Sequence, residues 1–324
     1  MRDQTKVERH DHLKVDSHNL RRVDAETNVF FARELEHVAS RISEVMHPEH
    51  KARTIVPADP DMGPAWADTY TYRTLEKFGE AKIIRSGAAT DLPRADVGGD
   101  EVPTKVYQIG DSFGYTVDEL MKSQALNRGL DTLRASAAQF AANELCDTLI
   151  ATGDADIGFT GFINDAAVNV ESPTLGTTWA TKIATPALVE GVLDDVNLLI
   201  AEMSLATAGV LKPDTLVLPE AQFTTLSTKR LPESSETLLS FLMRSSPYIT
   251  QIFGWHKLTA AGAGGLDRMV AFRRDPAIVS YVTPMEWTML APQEQGLEIV
   301  VPAWMKCAGT VIRHPLGLQY MDGI

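Results

Sequence analysis

The sequence has little cysteine and no long apolar run. Only two of its 324 residues are cysteine, Cys146 and Cys307, and they lack the CxxC spacing of zinc or redox sites. No run of about eighteen apolar residues occurs, and the first 28 residues are polar and charged, which argues against a membrane span and a signal peptide. We therefore expect no disulfide framework, no zinc site, no membrane contact and a reducing, cytoplasmic environment.

Motifs for catalysis or cofactor binding are also missing. The chain contains no GxSxG or HExxH, and the Gly262–Gly265 cluster lacks both GxGxxG and a GK[ST] ending. Paired histidines and paired aspartates occur, but no further ligands complete a metal site, so they are interpreted as surface and turn residues: His10/His12, His47/His50, Asp59/Asp61 and Asp154/Asp156. The sequence therefore predicts no enzyme and no cofactor, although an α+β enzyme with an unrecognised site stays open.

The charge balance limits the possible partners. The chain carries 43 acidic and 30 basic residues, a formal net charge of −13, while 44% of its residues are apolar, as in folded proteins. Nucleic-acid affinity comes largely from Lys and Arg that neutralise phosphates. Any nucleic acid associated with this protein is therefore expected to be enclosed rather than tightly bound.

The N-terminal region predicts an arm that precedes the folded part. Residues 1–27 carry many charges of both signs and read as a mobile arm. Apolar residues then recur every three or four positions, which predicts a helix from Asn28 to about His47, ended by Pro48: Phe31, Leu35, Val38, Ile42 and Val45.

Residues Ala65–Tyr115 predict a long β-hairpin without a core of its own. The outgoing arm is Thr69–Tyr72, the returning arm is Lys105–Ile109, and the tip around Gly87–Asp100 is rich in Gly, Ala, Asp and Pro. An isolated two-stranded ribbon is only marginally stable in water. We therefore expect this hairpin to lie on a neighbouring subunit.

Two capped helices follow the hairpin. Thr116 and Glu119 form a capping box that predicts a long helix ending at Gly153, with Gly129 inside it. Thr185 as N-cap and Pro186 at the first helical position predict a second helix that Gly209 closes. A buried strand at Leu216–Leu218 and further short helices and strands complete an α+β organisation.

Several separate segments resemble one family in the same order. They are FFARELEHV (30–38), AKIIRSGAATDLPRADV (81–97), IGDSFGYTVDEL (109–120), GFTGFIND (158–165), AGAGGLDRMVAFRRDP (261–276) and PQEQGLEIVVP (292–302). These segments, and the order of arm, hairpin, long helix and α+β domain, resemble the major capsid protein of tailed bacteriophages, whose fold encapsulin shells share.

The resemblance implies a domain organisation. The arm would be residues 1–56, the extended hairpin loop 57–113, the peripheral domain with its spine helix 114–184 and 285–324, and the axial domain 185–284. It also implies a structural protein of the virion that forms pentamers and hexamers of itself in an icosahedral shell around double-stranded DNA, assembled in the host cytoplasm. An encapsulin-type compartment is the nearest alternative.

Further partners and contacts follow from the same resemblance. Portal, scaffold and decoration proteins are candidate partners, and a large fused scaffold before the arm is not expected. Lys82 and Lys105 lie where some relatives form cross-links, but no acceptor is identified and no cross-link is predicted. The proposed assembly contacts are hairpin residues and a glycine loop near a capsomer axis: Tyr70, Tyr72, Ile83, Ile84, Val106, Gly262, Gly264 and Gly265.

Overall fold

The structure, a computed structural model, describes residues 45–83, 92–126, 130–232 and 234–324. Four features of the sequence analysis lie outside these ranges: the arm and its helix up to residue 44, Ile84, part of the hairpin tip, and Gly129. Every element given below belongs to one compact unit, Pro48–Ile324.

The helices of the described ranges are short apart from two. Their bounds are α1 (Ala52–Ile55), α2 (Val117–Leu126), α3 (Leu130–Ala151), α4 (Trp179–Ala184), α5 (Gly191–Ala206), α6 (Glu220–Thr228) and α7 (Leu238–Ser245).

The strands fall into several small sheets. Their bounds are β1 (Thr69–Phe78), β2 (Asp96–Lys105), β3 (Tyr107–Thr116), β4 (Gly153–Asp154), β5 (Phe159–Thr160), β6 (Asn169–Glu171), β7 (Thr215–Leu218), β8 (Gln251–Gly254), β9 (Arg268–Phe272), β10 (Val279–Val282), β11 (Met285–Met289), β12 (Gln293–Gln295), β13 (Glu298–Cys307), β14 (Gly309–Ile312) and β15 (Leu318–Asp322).

A five-stranded sheet lies between two apolar cores. Its strand order is β6-β15-β9-β7-β8, and β9 and β7 are buried along their whole length. Because side chains alternate along a strand, Val217 and Val270 enter one core, which contains residues of α3. Leu216 and Met269 enter the other core, against α5. The sheet thus supports α3 on one face and α5 on the other.

The two ends of the predicted long helix agree with the sequence: α2 begins directly after Thr116, and α3 ends before Gly153. Thr116 and Glu119 form the predicted capping box, each accepting the other's backbone N–H at 3.2 Å. Helix is present on both sides of residues 127–129, as α2 and α3. At the far end, Gly153 has a φ of +68°, and the following turn bonds back to the helix through the Phe162 N–H and the Ile150 carbonyl.

The second capped helix begins later than predicted. Residues Pro186–Leu188 form only a 3-10 turn, Thr185 makes no side-chain cap, and the regular helix α5 starts at Gly191. The apolar stripe itself is confirmed, since Val192, Val196 and Leu199 are buried. Pro186 therefore marks a turn before the helix rather than its first residue.

The returning arm of the hairpin was assigned wrongly. The strand that pairs with β1 is β2 (Asp96–Lys105), so Asp96–Asp100 belong to a strand and not to the tip. Residues Tyr107–Ile109 belong instead to β3, which pairs with β13. A single strand-like run in the sequence is thus two strands that meet at Val106 and pair with different partners.

β13 forms the centre of a four-stranded sheet. It pairs with β3 along ten residues on one side and with β11 and β12 on the other. The predicted division into peripheral and axial domains stays a prediction. The five-stranded sheet takes β6 and β15 from the predicted peripheral residues and β7, β8 and β9 from the predicted axial ones.

Candidate assembly interface

The hairpin is a regular two-stranded ribbon. β1 and β2 pair antiparallel over ten positions, from Thr69 opposite Lys105 to Phe78 opposite Asp96. At about 3.4 Å per residue the paired part is roughly 34 Å long. Neither strand pairs with a third strand among the described residues, so both outer edges are unpaired there.

An ionic network ties the base of the ribbon to the body of the subunit. Asp59 accepts hydrogen bonds from Arg313, from Ser280 at 2.9 Å and from Tyr70 at 3.0 Å. Burial alone would raise the pKa of Asp59, but the hydrogen bonds from Arg313, the Asp61 N–H and Ser280 outweigh burial and hold this pKa below its usual value. The carboxylate is therefore charged at neutral pH and holds β1 to the segment after β14.

An apolar cluster completes this anchor. Val106 is buried with residues of β10 and of the β13–β14 connection, and Tyr70 and Tyr72 pack against them. The Tyr72 hydroxyl donates to the Ile312 carbonyl at 3.3 Å, and the Arg313 guanidinium lies 5.6 Å from the Tyr72 ring centroid. Polar and apolar contacts therefore fix the same end of the hairpin.

Three residues proposed as assembly contacts make these contacts within their own subunit, and their contact with a neighbouring subunit stays a prediction. They are Tyr70, Tyr72 and Val106. Val106 is only 8% exposed. The sequence could not show the contacts within the subunit, because Asp59 and Arg313 are 254 residues apart and Asp59 resembled an ordinary turn residue.

The outer part of the ribbon has the opposite character. Ile83 is 84% exposed and Leu75 is 74% exposed, and Phe78 and Val97 are also more than half exposed. Ile83 was proposed from the sequence as an assembly contact, which stays a prediction. Leu75, Phe78 and Val97 were not proposed, although they are visible as apolar residues in strand-like runs. Ile84, predicted with Ile83, lies outside the described residues.

Two glycines shape this outer part. A Cβ on Gly98 would lie 2.8 Å from the Phe78 ring, and one on Gly99 would lie 3.0 Å from a Leu75 methyl group. The side chains of β1 therefore lie across the bare backbone of β2. The GG pair, interpreted as tip sequence, instead lets two large apolar side chains cover a strand while they stay open to solvent.

The predicted glycine loop is held at its base and open at its end. The Ala263 N–H donates to Asp322 at 2.9 Å, and Asp322 forms a two-point ion pair with Arg268 at 2.6 and 2.7 Å. A Cβ on Gly262 would lie 2.7 Å from the Asp322 carboxylate, so this glycine is needed inside the subunit. Gly264 and Gly265 have φ values of +72° and +76° and face open space.

No helix in the described part of the chain is both long and apolar enough to cross a membrane. Within the same ranges, no three His, Cys, Asp or Glu side chains are grouped in a way that could hold a metal ion.

Comparison with known proteins identifies the family. A family model described as "Major capsid protein" matches residues 79–324, well over half of the chain. A search of curated proteins finds no match. Among solved structures, the capsid of Myoviridae phage XM1 is similar with a TM-score of 0.78 at 20% identity, over 92% of this chain and 100% of that chain.

More distant structures have the same fold. The capsid of a native GTA particle has a TM-score of 0.64 at 11% identity, covering 93% of this chain and 97% of that one. A virus-like particle from Pyrococcus furiosus has a TM-score of 0.51 at 13% identity, covering 83% and 90%. The family match shows that this chain belongs to the major capsid protein family, and the solved structures show that it shares the fold of these capsid proteins.

Proposed function

We propose that this chain builds a closed icosahedral shell of pentamers and hexamers, in which each hairpin lies on a neighbouring subunit. The observation that carries the proposal is the contrast along one ribbon. Its base is fixed to its own subunit, and its outer part carries exposed apolar side chains and two edges that no described strand pairs with. Such a surface is stabilised when another copy covers it.

The energies support assembly by many weak contacts. Burying Leu75, Phe78 and Ile83 against a neighbour would contribute on the order of 5 kcal/mol per subunit, since a fully buried large apolar side chain contributes about 1.5–3 kcal/mol. Losses of motional freedom on association offset much of this gain in a single contact. In a ring, however, each subunit gives one such contact and receives another, so the closed assembly is favoured over pairs.

We propose that the shell encloses double-stranded DNA in a virion assembled in the host cytoplasm, and that the chain itself performs no catalytic step and needs no cofactor. The net charge of −13 supports enclosure without tight binding. The glycine loop, with Gly264 and Gly265 at its open end, is proposed to lie near a capsomer axis. Portal, scaffold or decoration proteins would be further partners.

An encapsulin-type compartment uses the same subunit fold, and the contents of the particle distinguish it from a phage head. Particles from infected cells should contain DNA that survives nuclease treatment until the shell is opened. Particles that instead enclose protein and no DNA would overturn the phage-head assignment.

The assembly proposal is tested at Ile83. We expect Ile83→Asp to lower particle yield at least tenfold by sedimentation and negative-stain microscopy, because a charge would be buried at the contact. Ile83→Leu is the matched control and should assemble normally. Since Ile83 is 84% exposed, neither variant should change the thermal unfolding of the unassembled subunit. Normal particle yield from Ile83→Asp would refute the proposed contact.

A further inference from the structure

The two cysteines of the chain, 161 positions apart, meet in the core. Cys146 lies on α3 and Cys307 ends β13, and their sulfur atoms are 3.6 Å apart. Both side chains are fully buried. Nothing in their sequence spacing indicated this proximity.

A cation distinguishes this pair from ordinary core cysteines. The Nη2 of Arg53 donates to the Cys146 sulfur at 3.3 Å, and the Gly309 N–H donates to the Cys307 sulfur at 3.3 Å. Buried cysteines in apolar surroundings are normally inert, whereas thiols next to Arg or Lys are activated. Arg53 lies on α1, so three separate parts of the fold meet at the pair.

The two thiols have different acidities. The hydrogen bond between the two thiols, followed by the charge of Arg53, lowers the pKa of Cys146 against the opposing effect of burial. The same hydrogen bond and burial raise the pKa of Cys307. One sulfur is therefore suited to react as a thiolate, while the other keeps its proton until a partner accepts it.

We propose that Cys146 and Cys307 are a disulfide-forming pair that peroxides oxidise. The Cys146 thiolate attacks one oxygen of hydrogen peroxide, the O–O bond breaks, and hydroxide leaves, which gives a sulfenic acid at Cys146. The Cys307 sulfur then attacks the Cys146 sulfur, the S–OH bond breaks, and water leaves with the Cys307 proton. In sum, two thiols and one hydrogen peroxide give one disulfide and two waters.

The geometry suits the second step. A disulfide requires an S–S distance of about 2.05 Å, so the two sulfurs, now 3.6 Å apart, must approach by about 1.5 Å. The bond would link α3 to β13, the strand that carries β3 and thereby the chain leaving the hairpin. Burial favours a small uncharged oxidant over a bulky disulfide reagent. This pairing lies within one subunit, so it is independent of the proposed shell.

The test uses the purified full-length protein, reduced, freed of reductant and treated with hydrogen peroxide at neutral pH. After denaturation and alkylation, intact mass should show loss of two hydrogens and no alkylated thiol. A non-reducing peptide map should join the Cys146 and Cys307 peptides. The melting temperature should rise by several degrees and return on reduction.

Variants separate the steps. Cys307→Ser should form the sulfenic acid at Cys146, trapped when the oxidised protein is denatured in the presence of dimedone, without any gain in melting temperature. Arg53→Met should slow disulfide formation, and Arg53→Lys should restore much of the rate. The proposal is overturned if wild-type thiols stay unreacted in the folded protein. It is also overturned if Cys146 proceeds to sulfinic acid while Cys307 remains a thiol.

Discussion

The anchor at the base of the hairpin can be tested through Arg313. Arg313→Met keeps an apolar stem of similar length but leaves the Asp59 carboxylate, which is almost fully buried, without its cation. Removing one partner of a buried ion pair costs about 3–5 kcal/mol, and the lower end applies because Arg313 is partly exposed. At about 1.36 kcal/mol per factor of ten, a cost of about 3 kcal/mol favours the detached ribbon by roughly 150-fold.

Hydrogen exchange of the unassembled subunit measures this change. Amide protection in β1 and β2 should fall by about two orders of magnitude, while β7 and β9 in the five-stranded sheet keep theirs. The control is Arg73→Met, because Arg73 pairs with Glu101 at 2.7 Å on the same ribbon but both side chains are exposed. Exposed ion pairs contribute little, so this variant should leave protection nearly unchanged.

A double variant tests whether the unpaired charge of Asp59 causes the loss of protection. Asp59→Asn combined with Arg313→Met removes the uncompensated charge and should recover part of the lost protection. We also expect Arg313→Met to lower particle yield, since a detached ribbon must be ordered again on assembly. Unchanged exchange in β1 and β2 of Arg313→Met, or an equal loss from Arg73→Met, would refute the anchor.

Two further predictions concern the turn after the long helix and acid stability. Gly161→Ala should destabilise the subunit by about 3 kcal/mol in urea unfolding, because the new Cβ would lie 2.3 Å from the Ala151 carbonyl oxygen. Gly158 faces open space at a φ of +77°, so the control Gly158→Ala should lower the free energy of unfolding by only about 1 kcal/mol. Burial would raise the pKa of Asp322, but the hydrogen bonds from Arg268 and from the Ala263 N–H lower this pKa overall. The stability that the Asp322 carboxylate contributes is therefore present above about pH 4, and it is lost as the pH falls through the lowered folded-state pKa. Asp322→Asn should therefore be less stable at pH 7 and lose less stability on acidification; equal pH slopes for the two proteins would contradict this reasoning.

Local signals in the sequence predicted the elements whose cause is local. The capping box at Thr116 and Glu119 forms as expected, because its two hydrogen bonds join residues three positions apart. The buried strand near Leu216 is confirmed, because a short apolar run between prolines has few alternatives. Thr185 and Pro186 failed as a helix start, because the same residues also suit a turn.

Local signals in the sequence did not predict how the strands of the hairpin region pair. The sequence predicted a ribbon, but the run around Val106 did not show that β2 and β3 pair with different strands. Strand pairing depends on hydrogen bonds to residues far away in the chain, and β3 finds its partner, β13, nearly two hundred positions later. The contacts of Tyr70 and Tyr72 within the subunit were missed for the same reason, since they lie at Arg313 and Ile312.

The sequence by itself determined the α+β class, the capped long helix, the ribbon without a core, and, through ordered family segments, the capsid identity. These rest on short-range hydrogen bonding, on apolar periodicity and on residue order, all of which are written along the chain. Only the tertiary structure decided which hairpin residues hold their own subunit and which stay open, and that Cys146 and Cys307 meet beside Arg53. Those facts depend on contacts between distant residues, and such contacts exist only once the chain has folded.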